Sequence, residues 1–170
     1  QAKPAPAWTP DGAKTAQAMV QTWSIREDRL FAGLDLTVRA AVGDSFLLFK
    51  PPAVLTDFKG DGLRISKVER DGQTAYYVVA EREGTLTARA KFEMPVPDLA
   101  QGLPLTTGPA AMQRITVDLD QAGWEFASPT AVLVLPAPGL GESRSGATLI
   151  LAPGGAPVIR LQPRRRDVGA

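Results

Sequence analysis

The chain has 170 residues, and its 19 Lys and Arg are interspersed with 18 Asp and Glu, so it lacks the broad basic field that releases counterions from a nucleic acid, and no nucleic-acid partner is expected. It has no histidine and no cysteine, which removes the Ser-His-Asp triad, the thiolate nucleophile, the disulfide framework and the commonest zinc ligands. A hydrophobic content of 44% suffices for one good core or two small ones, while no apolar run approaches the roughly 18 residues that span a bilayer, and Ala131 to Leu135 ends at Pro136.

The opening Gln1-Ala2-Lys3-Pro4-Ala5-Pro6-Ala7 reads as a processed or engineered start, of the kind that follows a removed signal peptide or a trimmed tether. Thr9-Pro10-Asp11-Gly12 reads as a turn or cap, followed by a short helical turn over Ala13 to Ala18. From there the hydrophobic period is two. Met19 to Arg26 is a strand, Glu27-Asp28 a turn, and Leu34, Leu36, Val38 and Ala40 alternate with Asp35, Thr37 and Arg39 in a half-buried antiparallel partner.

Strands Ser45 to Lys50 and Ala53 to Phe58 follow, with Pro51-Pro52 at an edge or corner because proline cannot donate to a central ladder. Lys59-Gly60-Asp61-Gly62 predicts a turn, and Leu63 to Arg70 pairs with Gln73 to Glu81 across Asp71-Gly72, a strong hairpin signal. Leu86, Ala88, Ala90, Phe92 and Met94 alternate with Thr85, Thr87, Arg89, Lys91 and Glu93 along a long strand with one charged face.

Pro95 to Pro109, rich in proline and glycine, is the natural linker, with room for a short strand in its middle. Ile115, Val117 and Leu119 alternate with polar residues, and strands at Glu125-Phe126 and Ala131 to Leu135 lead into a loop over Pro136 to Gly146. A last hairpin is expected between Thr148 to Leu151 and Val158 to Gln162 across Pro153-Gly154-Gly155. Arg164-Arg165-Arg166 reads as the solvated end of the last strand, though it would also suit a segment just inside a membrane.

These elements repeat. Leu36-Thr37-Val38, Phe46 and Pro52-Ala53-Val54-Leu55 recur as Ile115-Thr116-Val117, Phe126 and Pro129-Thr130-Ala131-Val132-Leu133, offset by 79 residues at the threonine and 78 at the valine. The expected fold is therefore all-β, an antiparallel β-sandwich of two related units that could face each other. Residues 1–17 form the tether, 18–97 the first unit, 98–109 the linker and 110–170 the second. No counterpart of the Thr85 to Met94 strand follows, so the second unit is expected to be incomplete and finished by residues outside this sequence, or to lend its open edge to the first unit, to another protein or to a second copy.

Candidate chemistry is sparse, and no catalytic, cofactor-binding or metal-binding residues are assigned and no cofactor is expected. Asp118-Leu119-Asp120 sets two carboxylates about 7 Å apart on one strand face, a spacing a divalent cation could share but that a solvated face explains equally well. Asp57, Asp61 and Asp71 suit turn chemistry, and Gly139-Leu140-Gly141-Glu142-Ser143 lacks the strand-to-helix setting of a phosphate loop. Trp8, Trp23 and Trp124 with Tyr76 and Tyr77 could form a sugar-stacking platform, since adjacent tyrosines in a strand face opposite sides and one should be partly exposed. Ser24, Ser45, Ser66, Ser128, Ser143 and Ser145 have no histidine to activate them. A carboxylate-only enzyme is the remaining catalytic option, because its pairing is spatial.

In order and spacing, Val20 to Val42, Pro52-Ala53-Val54-Leu55, Gly84-Thr85-Leu86-Thr87 running to Met94-Pro95-Val96, and Arg114-Ile115-Thr116-Val117-Asp118-Leu119 are similar to a family of bacterial extracytoplasmic modules near the start of larger, membrane-attached proteins. The resemblance implies a periplasmic tandem β-sandwich and carries over no catalytic residues. Together these readings give a non-enzymatic interaction or structural module of a cell-envelope protein, periplasmic or otherwise extracytoplasmic, tethered rather than membrane-spanning. The alternatives are a carrier holding a lipid between two sandwiches and a carbohydrate-binding module.

Overall fold

The computed structural model describes residues 13–104, 106–136, 144–153 and 158–163. Among the described residues thirteen strands follow one another: β1 Ala16–Arg26, β2 Arg29–Ala40, β3 Ser45–Phe49, β4 Val54–Asp61, β5 Leu63–Arg70, β6 Gln73–Ala80, β7 Gly84–Pro95, β8 Leu103–Pro104, β9 Ala110–Leu119, β10 Trp124–Ala127, β11 Ala131–Pro136, β12 Ser145–Leu151 and β13 Val158–Pro163. The fold is an all-β sandwich. One layer is a seven-stranded sheet in the order β11-β12-β9-β1-β2-β7-β4; the other consists of two three-stranded sheets, β3-β6-β5 and β10-β13-β8.

Alternation decides which face of the large sheet is covered. Met19, Trp23 and Ile25 on β1, Leu34, Leu36 and Val38 on β2, and Ile115, Val117 and Leu119 on β9 all point to the same side and are buried. They share one core with Phe46 and Phe49 of β3, Val78 of β6, Phe126 of β10 and Ile159 and Leu161 of β13. Phe49 stacks at a tilt on Phe92 of β7 and Tyr76 of β6, with ring centroids 4.8 and 4.9 Å apart.

The repeat has a structural counterpart. Leu36-Thr37-Val38 lies on β2 and Ile115-Thr116-Val117 on β9, the two neighbours of β1. In each half an antiparallel strand comes next, β7 or β12, and an edge strand after it, β4 or β11. Thr37 sits opposite Thr87 and Thr116 opposite Thr148, so the duplicated threonines occupy equivalent cross-strand sites. Because β1 runs antiparallel to β2 and parallel to β9, β2 and β9 point in opposite directions, and an approximate two-fold axis through β1, normal to the sheet, relates the halves. The large-sheet strands of the two halves thus lie side by side in one sheet, and the described residues of both halves share one core.

Several expectations are corrected. Ala13 to Ala18 is not a helical turn: Lys14 bridges Phe46 and Ala16 begins β1, because a strand paired on both sides gains more than a short alanine-rich helix. Lys59-Gly60-Asp61 is not a turn but continues β4 along β7, and the chain breaks direction only at Gly62, where φ is +75°. The Pro95 to Pro109 stretch does contain the short strand β8, yet it is packed rather than free: Leu103, Thr106 and Thr107 are buried, and the Lys50 N–H donates to the Thr106 carbonyl at 2.8 Å.

β12 and β13 do not form a hairpin. β12 enters the large sheet beside β9 and β13 enters the small sheet beside β10, so β12 is the counterpart of the Thr85 to Met94 strand that the sequence seemed to lack. The turn expectations at Glu27-Asp28 and Asp71-Gly72 hold. Arg26 and Arg70 sit opposite Arg29 and Gln73, and both Asp71 and Gly72 have positive φ. Residues 1–12 of the expected tether, with the Thr9 to Gly12 turn, and Gly154-Gly155 and the Arg164 to Arg166 run lie outside the described residues, whereas residues 16 and 17 of the tether belong to β1.

A buried polar cluster locks β1 to β9. The Gln21 amide donates to Thr107 Oγ1 at 3.0 Å and to Gln113 Oε1 at 2.8 Å, while its Oε1 accepts from Trp23 Nε1 at 2.9 Å. Thr107 Oγ1 also donates to Gln113 Oε1 at 3.0 Å. Replacing Gln21 by leucine keeps the volume but strands the buried Trp23 indole N–H, so Gln21→Leu is expected to lower unfolding free energy by about 2 kcal/mol in a urea titration.

At the turn after β2, Asp44 Oδ2 accepts from the Ala41 N–H at 2.8 Å, and Lys14 lies 3.1 Å away. The backbone bond first, and the lysine with it, hold this carboxyl below its ordinary value. A depressed folded pKa gives stability that is present above the unfolded carboxylate range and lost as pH falls through the folded value. Asp44→Asn should therefore lower the melting temperature at neutral pH and flatten its decline on acidification.

Candidate functional site

With its inner face covered, the large sheet presents its other face to solvent. In register across the strands lie Val20, Asp35, Arg89 and Lys59, then Thr22, Gly33, Lys91 and Asp57, then Ser24, Phe31, Glu93 and Val54. Sheet pleating places the charged half of the Thr85 to Glu93 alternation here, as its pattern predicted. Hollows of about 490, 440 and 310 Å³ open along this face.

The charges are largely paired. Arg89 Nε is 3.0 Å from Asp35 Oδ1, Arg29 contacts Glu93 at 3.0 Å and Arg82 contacts Asp61 at 2.8 Å. The Arg82 guanidinium holds the Asp61 carboxyl below its ordinary value, and Asp61 in turn raises Arg82. Such exposed pairs fix side-chain positions more than they stabilise the fold.

The sequence candidates are dispersed. Asp118 is engaged by Arg144, whose Nε donates at 3.0 Å, and Asp120 Oδ2 accepts from the Glu27 N–H at 3.3 Å, pinning the turn where Glu27 has φ +57°. The two carboxylates thus serve an ion pair and a turn, and among the described residues no group of three or more potential ligands gathers. Asp57 and Asp61 lie on edge strand β4 rather than in turns, while Asp71 is in its expected hairpin turn.

The expected aromatic platform is not assembled. Trp23 is fully buried, Trp124 is half-buried, and Tyr76 and Tyr77 are 8% and 5% exposed, because β6 is buried on both of its faces from Tyr76 to Ala80. Ser145 Oγ donates to the Gln121 carbonyl at 2.6 Å and accepts from the Trp124 N–H at 3.1 Å, Ser128 contacts Thr130, and Ser45 is buried. Ser24 and Ser66 are half-buried on β1 and β5. Trp8 and the Gly139 to Ser143 stretch lie outside the described residues.

The two edges of the large sheet differ. β4 carries Asp57, Lys59 and Asp61, charges that discourage strand addition, whereas β11 exposes Val132 at 71%, Leu133 at 43% and Leu135 at 47%. Missed by the sequence reading was the cross-strand meeting of Lys59, Arg89 and Lys91, since nothing local links β4 to β7.

No family profile and no curated protein sequence matches the chain. Among solved structures it is similar to a two-domain M1-family zinc metallopeptidase variant bound to L-tryptophan, with a TM-score of 0.55 and 13% identity over 88% of this chain and 42% of that one. It is likewise similar to the M1-family zinc metallopeptidase from Deinococcus radiodurans, with a TM-score of 0.53, 13% identity and the same coverage. At that identity the likeness is one of fold, and the chain spans less than half the length of those proteins.

The expectation that the chain is not an enzyme is corrected by this finding, because its fold is shared with part of an enzyme chain. The physical reason is that a residue inventory of one domain is silent on a site to which another domain contributes.

Removing the Arg144 side chain should test whether Asp118 is only an ion-pair partner: Arg144→Ala is expected to cost less than about 1 kcal/mol, a loss that disappears at high salt in thermal melts.

Proposed function

We propose that the chain is a structural and interaction module of a larger extracytoplasmic protein, holding one broad sheet face and one apolar sheet edge toward a neighbouring domain or protein. The observation that carries this reading is that the same fold makes up 42% of a longer, two-domain chain. The structure supports it physically: a single core rigidifies the large sheet, while its outer face and β11 remain available. The open β11 edge suits addition of a strand from another protein or a second copy.

A second reading is favoured by the same likeness. It seats the module beside a zinc-peptidase domain, and a chain without histidine or cysteine would then shape the cleft while the other domain supplied the usual nitrogen and sulfur ligands. The carrier and carbohydrate readings draw less support. Trp23, Phe46, Phe49 and Phe92 fill the space between the layers, and the hollows on the outer face are lined by charged side chains.

An antibody raised against the chain, used on fractionated source cells, tests the module reading. A polypeptide longer than 170 residues in the periplasmic or membrane fraction is the expected result, and a cytosolic polypeptide of this length alone would overturn it. Elemental analysis of the purified full-length protein separates the two readings: one zinc per chain supports the peptidase setting, and its absence after reconstitution removes it.

A further inference from the structure

The open face contains a residue that the core does not require. Gly33 lies inside β2, half-buried on the outer face, and a Cβ built there would meet nothing within 4 Å. Glycine inside a strand weakens it, and where packing does not call for it, it marks a place where a ligand or another backbone comes close.

The hollow of about 440 Å³ and that of about 310 Å³ share Gly33 together with Thr22 and Lys91, and the 490 Å³ hollow joins them at Asp35, Lys59 and Arg89. They form a trough that follows β7 from Thr87 to Glu93, roughly 20 Å at a rise of about 3.4 Å per residue, the length of an extended hexapeptide.

Charge selects the occupant. Lys59 lies directly opposite Arg89, a like-charge pair that costs stability unless an anion answers it. Arg89 is paired with Asp35, whereas Lys59 and Lys91 have no ion-pair partner among the described residues. Asp57 is the anion in register with Lys91, and the remaining carboxylates of the trough, Asp61 and Glu93, stand at its ends and are taken by Arg82 and Arg29. The middle of the trough therefore holds Lys59, Arg89 and Lys91 against Asp35 and Asp57, an excess of one positive charge in which Asp35 answers only Arg89.

We propose that this trough binds an extended acidic peptide segment of a partner protein, its carboxylates pairing with Lys59 and Lys91 and its backbone passing close over Gly33. The assignment rests on the module reading above and names the chemistry of the partner.

The test is calorimetric titration of the 170-residue chain with a capped hexapeptide of alternating glutamate and glycine, and with its glutamine counterpart. Saturable binding of the glutamate peptide alone, weakening as salt rises, is expected. The double variant Lys59→Gln/Lys91→Gln should bind about tenfold or more weakly. Gly33→Val should melt at the same or a higher temperature, since valine favours strands and has open space there, and yet lose the peptide. Absence of saturable binding, equal binding of the glutamine peptide, or undiminished binding by a folded Gly33→Val protein would each overturn the proposal. None of these outcomes changes the length or location of the parent polypeptide, so the two readings fail separately.

Discussion

Everything in this fold depends on how β1 is held. It is the middle strand of the large sheet, hydrogen-bonded on one side to β2, its sequence neighbour, and on the other to β9, which lies far along the chain. The first pairing is a two-residue hairpin and closes cheaply. The second is parallel, closes a long loop and is the slightly weaker kind of ladder, so it needs support from side chains. Gln21, Thr107, Gln113 and the Trp23 indole provide it, in a buried network that is satisfied in one register only.

With β1 fixed, the two halves build outward by the same rule. Each places a central strand, an antiparallel neighbour and an edge strand on the large sheet, and sends other strands to a small sheet over the core. The routes differ: β7 comes after the β5-β6 hairpin, whereas β12 comes before β13. The spatial order is preserved although the chain order is not, which is why the second half looked unfinished as a string of residues and is complete as a sheet. The symmetry fails at the edges, where β4 is charged and β11 apolar. That asymmetry gives the sheet one guarded end and one end suited to a partner.

The functional surface follows from the same geometry. A seven-stranded sheet with most of its apolar alternates turned inward turns most of its polar alternates outward, and here they converge on a shallow trough. A shallow trough of this kind has the shape for the extended, charged segment proposed above. The likeness to part of zinc metallopeptidase chains is a likeness of fold.

Much of the fold was legible in the sequence, because period-two alternation, turn chemistry and burial are local properties. The strand at Thr85 to Met94, the Asp71-Gly72 hairpin, the polar face of Arg89 and Lys91 and the duplication around Thr37 and Thr116 all follow from neighbouring residues. Tertiary structure alone decided which strands meet. Pairing of β1 with β9, the parting of β12 from β13, the burial of Tyr76 and Tyr77 and the approach of Lys59 to Arg89 depend on contacts between segments distant along the chain. Those contacts are chosen by the summed burial and hydrogen bonding of the whole sheet, a quantity that no single stretch of sequence contains.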